Sequence, residues 1–271
     1  VVVAEVVNVS HAKRESAPMD KNDFVVWQVP SVVKVFQDDA PSPGRQPIRV
    51  CTAKGEWEVL QLAVRSGTSL PELQIVVNPP SKTNGKRLER FDVSVVGYVP
   101  VDYPTNYYRF DGPAWHRKLP QQPPGSDGWS GWWPDPLLPK SRFALSAEST
   151  QAVWVIFKIP REAEAGDYLG TVRFVSQGNV LAEVPFAVHV WDYTIPEKTT
   201  FPAVYDVRLG PGGRIFGASL DQLYREIVQF MAERRLCPDK IRPDPVIEYR
   251  NGQVHTDFSE YDKVAQWYFG D

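Results

Sequence analysis

The chain has 271 residues, of which 42% are hydrophobic and 23% are charged, a composition typical of a globular protein with a substantial core. Its net charge is −3 at pH 7 and no stretch concentrates the basic residues, so we expect neither a nucleic-acid partner nor an anionic membrane partner. No apolar run approaches the roughly 20 residues that a membrane-spanning helix requires. The length predicts one large domain or two smaller ones.

Proline and the aromatic residues are abundant, with 25 prolines and 9 tryptophans, which indicates a protein rich in strands and loops. Cys51 and Cys237 are the two cysteines, and we expect two free thiols rather than a disulfide framework or a cysteine-based metal site. The histidines show no spacing typical of metal ligands; they are His11, His116, His189 and His255. We therefore predict no metal and no cofactor.

Apolar and polar residues alternate with period two along much of residues 24–192, as expected for half-buried antiparallel strands. The predicted strands are 32–36, 48–52, 57–65, 73–77, 91–101, 151–159, 168–176 and 180–190. Clusters of Gly, Pro, Asn or Ser separate them, and no helical pattern intervenes. The sequence therefore predicts a mainly β fold, with an antiparallel β-sandwich over residues 1–197.

The hydrophobic period changes after residue 196. A short strand is predicted at 201–207, followed by a glycine-rich loop at 210–213 and a helix over 220–235, where Ser219 and Gln222 fit a capping box. A second helix is predicted to begin near Ser259. Residues 198–271 therefore read as the first β/α units of a (β/α)8-type barrel. Because such a barrel takes roughly 200 residues or more, we expect the natural protein to continue beyond residue 271.

Four segments carry a family resemblance: GEWEVLQL at 55–62, WPDPLLP at 133–139, AGDYLG at 165–170 and VWDYTIP at 190–196. Together they resemble proteins of glycoside hydrolase family 123. The resemblance implies a sandwich followed by a catalytic barrel, with β-N-acetylgalactosaminidases among its characterised members. It also implies a substrate-assisted mechanism, in which an Asp holds the sugar acetamide and an adjacent Glu is the general acid. No Asp is followed by Glu in this sequence, so we assign no catalytic residue and expect the chain alone to be inactive.

Trp129, Trp132 and Trp133 lie in a proline-rich stretch and could form a platform that stacks on the CH faces of sugars. The alternative is that these rings anchor a long loop to the sandwich. Asp135 lies between two prolines, where we expect its carboxylate to accept backbone N–H bonds and fix a turn.

Asp206 and Arg208 follow the first predicted barrel strand, at the end where barrel active sites are built. They could contact a sugar hydroxyl or acetamide, or they could form an internal ion pair.

The sequence favours the amino-terminal part of a glycoside hydrolase-like protein that acts on glycans, and the resemblance implies glycans containing N-acetylhexosamine, such as N-acetylgalactosamine. The alternative is a non-catalytic carbohydrate-binding or scaffolding sandwich. Residue 1 is Val rather than Met, so we expect the true start and any signal peptide to have been removed. For a protein that acts on glycans we expect a secreted, periplasmic or cell-surface location, and the sequence does not indicate an oligomeric state.

Overall fold

The computed structural model describes residues 19–21, 23–42, 47–101, 131–197, 203–208, 217 and 219–269. The chain divides into two compact units, Val1–Ile195 and Pro196–Asp271. Neither helix in the described part of the chain combines the length and the apolar composition that crossing a membrane requires.

The described residues of the first unit form ten strands in two five-stranded sheets. The strands are β1 (Phe24–Val29), β2 (Arg49–Lys54), β3 (Trp57–Ser66), β4 (Leu70–Ser81), β5 (Phe91–Val101), β6 (Gly131–Leu138), β7 (Arg142–Leu145), β8 (Thr150–Lys158), β9 (Gly166–Ser176) and β10 (Asn179–Thr194). The first sheet has the order β1-β3-β8-β5-β6 and the second has the order β2-β10-β9-β4-β7. This confirms the predicted mainly β fold with antiparallel sheets, with one exception, because β2 and β10 pair in parallel.

The alternation of apolar residues explains why the two sheets pack face to face. Alternate side chains of each strand point inward, and those of both sheets share one buried core, as in a β-sandwich. Aromatic rings join the sheets across this core. The ring centroids of Phe157 in β8 and Phe186 in β10 are 5.7 Å apart, and those of Phe24 in β1 and Phe174 in β9 are 5.8 Å apart.

The outer face of the first sheet is also covered, by the segment 30–42. The predicted strand at 32–36 is wrong, because these residues form a turn and an irregular segment. The amide of Val33 donates to the carbonyl of Pro30 across that turn, which leaves Val32 91% exposed. Val35 is buried on the sheet, in a small apolar cluster with Trp27, Ala63, Val96 and Ala152. The apolar run at 32–36 thus marks a loop that packs on a sheet rather than a strand within one.

Tyr98 of β5 helps to hold this segment, because its hydroxyl donates to the carbonyl of Val35 at 3.2 Å. Burial, assisted by the charge of Asp39, raises the pKa of Tyr98 to about 12. A raised folded-state pKa means that this stabilisation is complete below about pH 10 and is lost as the pH rises through about 12.

We expect ionisation of Tyr98 to cost the folded protein roughly 2 kcal/mol between pH 9 and pH 11.5. Tyr98→Phe removes the ionisable group, so the variant will lose less stability over this interval than the wild type. Urea unfolding at the two pH values measures the difference. Parallel losses in the two proteins would contradict the assignment.

The described residues of the second unit form two helices, α1 (Leu220–Glu233) and α2 (Ser259–Phe269), and two short strand pairs. The strands are β11 (Val204–Tyr205), β12 (Cys237–Pro238), β13 (Val246–Arg250) and β14 (Gln253–Asp257). Strands β11 and β12 are parallel and flank α1 in sequence, which makes a β-α-β unit. A separate core holds the unit together: Val207, Tyr224, Val228, Met231, Ile241 and Val264.

Both predicted helices of this unit are present. The side chain of Ser219 accepts from the amide of Gln222 at 3.1 Å, as the capping box predicted. The predicted strand at 201–207 is reduced to Val204–Tyr205 among the described residues, and the loop at 210–213 lies outside them. The hairpin of β13 and β14 was not predicted. Continuation of this unit into a (β/α)8-type barrel stays a prediction.

Candidate functional site

Strand β6 carries two of the candidate tryptophans and lies at the edge of the first sheet, paired with β5. Adjacent residues of a strand point to opposite faces, so Trp132 and Trp133 do not share one platform. Trp132 is 56% exposed. The half-buried Trp133 meets Phe36 of the segment 30–42 edge-on, with ring centroids 5.2 Å apart. Trp129 lies outside the described residues.

We expect Trp133→Ala to lower the free energy of unfolding by about 1–3 kcal/mol, because it removes a half-buried ring that packs on a buried phenylalanine. Trp132→Ala should cost less than about 1 kcal/mol, since that ring is mostly in solvent. Chemical unfolding of the two variants measures the difference. Equal losses would show that Trp133 does not anchor the segment.

Asp135 lies within β6, so the structure corrects its assignment to a turn. Pro134 pairs with Tyr98 and Leu137 pairs with Val96, which leaves Asp135 and Pro136 opposite the single residue Gly97. This is a β-bulge, and an edge strand tolerates the missing N–H groups of its prolines. A Cβ at Gly97 would lie 2.8 Å from the Pro136 ring, so the bulge requires glycine there. The prolines therefore shape a strand, and the carboxylate of Asp135 is exposed.

A cleft of about 280 Å³ lies on the outer face of the first sheet, between the segment 30–42 and β6. Its walls are mainly apolar, and they include Val33, Val35 and Leu137. Gln61 and Trp154 also line it, and the indole N–H of Trp154 donates to the side-chain oxygen of Gln61 at 2.6 Å.

Charged groups of both signs line the same cleft. Lys34 and Asp135 contribute a cation and a carboxylate, and the ammonium of Lys34 donates to the carbonyl of Pro134 at 2.9 Å. Apolar walls with a few polar groups are the usual make-up of a small-molecule site. The arrangement can bind a ligand that presents both CH surface and hydroxyl groups.

The amide of Gln61 is buried and joins this cleft to the segment above it. Its nitrogen donates to the carbonyls of Pro30 and Val33, at 2.8 and 2.9 Å. We did not identify Gln61, Lys34 or Trp154 as site residues from the sequence. The one available signal was Gln61 itself, a polar residue on a strand whose neighbours are almost all apolar.

The carboxyl ends of β11 and β12 carry the other candidate residues, in the second unit. Asp206 and Arg208 form an ion pair, as one of the two alternatives predicted, and both are exposed. Asp239 follows β12, and its carboxylate accepts from the amide of Val207 at 3.1 Å. This hydrogen bond holds the pKa of Asp239 below its usual value. Asp239 thus ties the two strand ends together, while the Asp206–Arg208 pair remains accessible.

Among the described residues, His, Cys, Asp and Glu side chains form no group that could hold a metal ion.

Two of the quoted motifs serve the scaffold. The carboxylate of Glu56 accepts from the amide of Ala53 at 2.7 Å, where the chain crosses from one sheet to the other. In the segment 165–170, Tyr168 is buried and its hydroxyl donates to the carbonyl of Glu164. A Cβ at Gly170 would lie 2.7 Å from the ring of Phe186. These residues set the close packing of the second sheet.

Comparison with known proteins identifies a family and solved structures of similar fold. The model of the glycoside hydrolase 123 N-terminal domain matches residues 38–176. No curated protein matches the sequence. The fold is similar to that of a family 123 glycoside hydrolase from Clostridium perfringens, studied for glycolipid glycan hydrolysis, with 11% identity and a TM-score of 0.65. The match covers 90% of this chain and 45% of that enzyme, so the chain spans less than half of the enzyme's length.

Two further structures match weakly. The N-terminal domain of PorA has 9% identity and a TM-score of 0.27, over 63% of this chain and 99% of its own. The apo Calx CBD1 domain has 7% identity and a TM-score of 0.26, over 62% of this chain and 98% of its own. Scores at this level carry no functional argument.

Proposed function

This chain belongs to the glycoside hydrolase 123 N-terminal domain family, and from that premise we propose that it is the sandwich and the first β/α unit of a hydrolase that acts on glycans containing N-acetylgalactosamine. The family match over the sandwich carries this proposal. The likeness to the solved enzyme supports the assignment of the β/α unit to the same protein. The match covers 90% of this chain, which is more than the first unit, Val1–Ile195, contains.

The proposed reaction is substrate-assisted cleavage, as the family resemblance implies. The acetamide oxygen of the sugar bonds to the anomeric carbon while the glycosidic C–O bond breaks and a general acid protonates the departing oxygen. Water then opens the cyclic intermediate. The adjacent Asp-Glu pair that performs these roles in the family has no counterpart among the 271 residues. In the proposed enzyme, Asp206 and Arg208 supply polar contacts to the sugar at the barrel edge.

Hydrolysis of 4-nitrophenyl N-acetyl-β-D-galactosaminide tests the proposal. The product of the complete open reading frame that encodes these residues should release nitrophenol, and the 271-residue chain alone should give only the no-protein rate. Turnover by the 271-residue chain that survives repurification would contradict the assignment of catalysis to other residues.

The alternative function is a non-catalytic carbohydrate-binding sandwich, favoured by the cleft beside β6 and by the exposed ring of Trp132. It predicts that the complete product binds the glycan without hydrolysing it. We further propose that the protein is secreted, periplasmic or on the cell surface. Detection of the protein in culture fluid, periplasm or surface fractions would test that location.

A further inference from the structure

A second polar and aromatic cluster lies on the outer face of the other sheet, on strands β2, β9 and β10. It consists of Arg49, Asp167, His189 and Trp191, and we call it the Trp191 cluster. His189 is the direct cross-strand partner of Asp167 in the antiparallel pair of β10 and β9. The neighbours Tyr168 and Val190 are buried in the core, so alternation directs the cluster to the opposite, outer face.

Hydrogen bonds join Arg49, Asp167 and His189, and a ring contact joins Trp191 to His189. One carboxylate oxygen of Asp167 lies 2.9 Å from the Arg49 guanidinium and 2.6 Å from Nδ1 of His189. The Trp191 ring meets the His189 ring edge-on, with centroids 4.7 Å apart. The side chain of Gln28 donates to the carbonyl of Arg49 and accepts from its amide, which holds β2 in place. The site is therefore organised before any ligand arrives.

The cluster keeps much of its surface in solvent despite these bonds. The side chains of Arg49 and Asp167 are 43% and 50% exposed, and Trp191 is 45% exposed. Solvent-exposed ion pairs contribute little to folding stability. Stability therefore does not account for the Arg49–Asp167 pair.

Ligand chemistry accounts for it better. A pyranose ring has an apolar CH face that can stack on the indole of Trp191, and a rim of hydroxyls. Planar carboxylate and guanidinium groups, held at fixed positions, accept from and donate to such hydroxyls. Fixing them in advance lowers the conformational entropy lost on binding.

We propose that the Trp191 cluster is a glycan-binding site that takes a pyranose residue, separate from the cleft beside β6. The ligand class rests on the proposed function. The site lies on a sheet face and serves to hold the glycan rather than to cleave it.

Binding to polyacrylamide that carries N-acetyl-β-galactosamine, β-galactose or β-glucose tests the site, with plain polyacrylamide as the blank. We expect the 271-residue chain to bind at least one sugar polymer, and Trp191→Ala and Asp167→Asn each to weaken that binding about 10-fold. Tyr249→Ala is the matched control, because it removes an exposed aromatic ring from the hairpin of the second unit. Failure of all three polymers to bind, or equal weakening in the control, would overturn the proposal.

Cys51 provides a second readout that needs no substitution. It is exposed and pairs with His189 across β10 and β2, so its thiol borders the cluster. The sugar polymer that binds should slow maleimide labelling of Cys51, whereas labelling of Cys237 should be unchanged. Unchanged labelling of Cys51 under saturating polymer would place the bound sugar elsewhere and refute the proposal.

The hydrolysis assay separates this site from the proposed enzyme. In the product of the complete open reading frame, Trp191→Ala should leave hydrolysis of the small nitrophenyl glycoside unchanged while polymer binding falls. Loss of that hydrolysis in the variant would contradict a purely holding role. If the wild type shows no hydrolysis but its polymer binding depends on Trp191, the proposed enzymatic activity is wrong and the proposed binding site is supported.

Discussion

Replacing Gln61 with leucine will lower the free energy of unfolding by about 3–5 kcal/mol. Leucine fills the buried position with an apolar side chain of similar size, but it cannot form the three hydrogen bonds of the Gln61 amide. The carbonyl of Val33 and the indole N–H of Trp154 lose the partner that Gln61 supplied, whereas the carbonyl of Pro30 keeps its bond from the amide of Val33. A polar group that is left unpaired away from water costs about 1–3 kcal/mol. Urea unfolding monitored by tryptophan fluorescence measures the loss.

Gln253→Leu is the matched control, because Gln253 is an exposed glutamine on a strand, and its replacement should change stability by less than about 0.5 kcal/mol. Limited proteolysis gives an independent readout, since Gln61→Leu should accelerate cleavage in the segment 30–42. Unchanged proteolysis together with a small loss of stability would mean that Gln61 does not hold this segment.

Replacing Phe157 with alanine will also cost about 3–5 kcal/mol, for a different reason. Phe157 is fully buried, and its ring centroid lies 6.1 Å from that of Phe91 within the first sheet and 5.7 Å from that of Phe186 in the second. Alanine leaves a cavity at the contact between the sheets, which the rigid strands cannot close. The measured quantity is the shift of the urea midpoint at unchanged slope.

Phe269→Ala is the corresponding control, because Phe269 is a mostly exposed phenylalanine, and we expect a change below about 0.5 kcal/mol. A loss below about 1 kcal/mol for Phe157→Ala would contradict the assignment of this ring to the common core of the two sheets.

Hydrophobic alternation was sufficient to predict most of the sandwich strands. It failed where the structure of a segment is determined by contacts with residues distant in the sequence. The run at 32–36 is apolar because it packs on a sheet that is distant in sequence, and local periodicity carries no information about that contact. Strand β6 was not predicted because its prolines are typical of loops; they are accommodated by the edge position and by the bulge opposite Gly97.

The hairpin of β13 and β14 was within reach of sequence reasoning. Asn251 and Gly252 both have positive φ and form the two-residue turn between Arg250 and Gln253. Asn-Gly between alternating residues is a strong hairpin signal, so the sequence alone is sufficient to predict this hairpin.

The candidate site was less predictable than the fold. Trp132 and Trp133 were identified as aromatic residues of interest, but their separation onto opposite faces follows from a strand that was read as a loop. The cleft depends on the segment 30–42 lying over Gln61 and Trp154, which is a tertiary contact. The Trp191 cluster draws its members from three strands, and only the register of those strands brings Asp167 beside His189.

The parallel pairing of β2 with β10 has a consequence for the order in which this protein folds. Val50 near the start of the sandwich pairs with Val188 near its end, whereas β1 finds its partner β3 close by in the chain. Contacts between distant parts of a chain form slowly, because the loop-closure entropy is lost before the contact stabilises the fold. During synthesis, β2 leaves the ribosome long before β10, its ladder neighbour among the described strands. The second sheet therefore acquires this edge in a late step, after β9 and β10 have formed their hairpin.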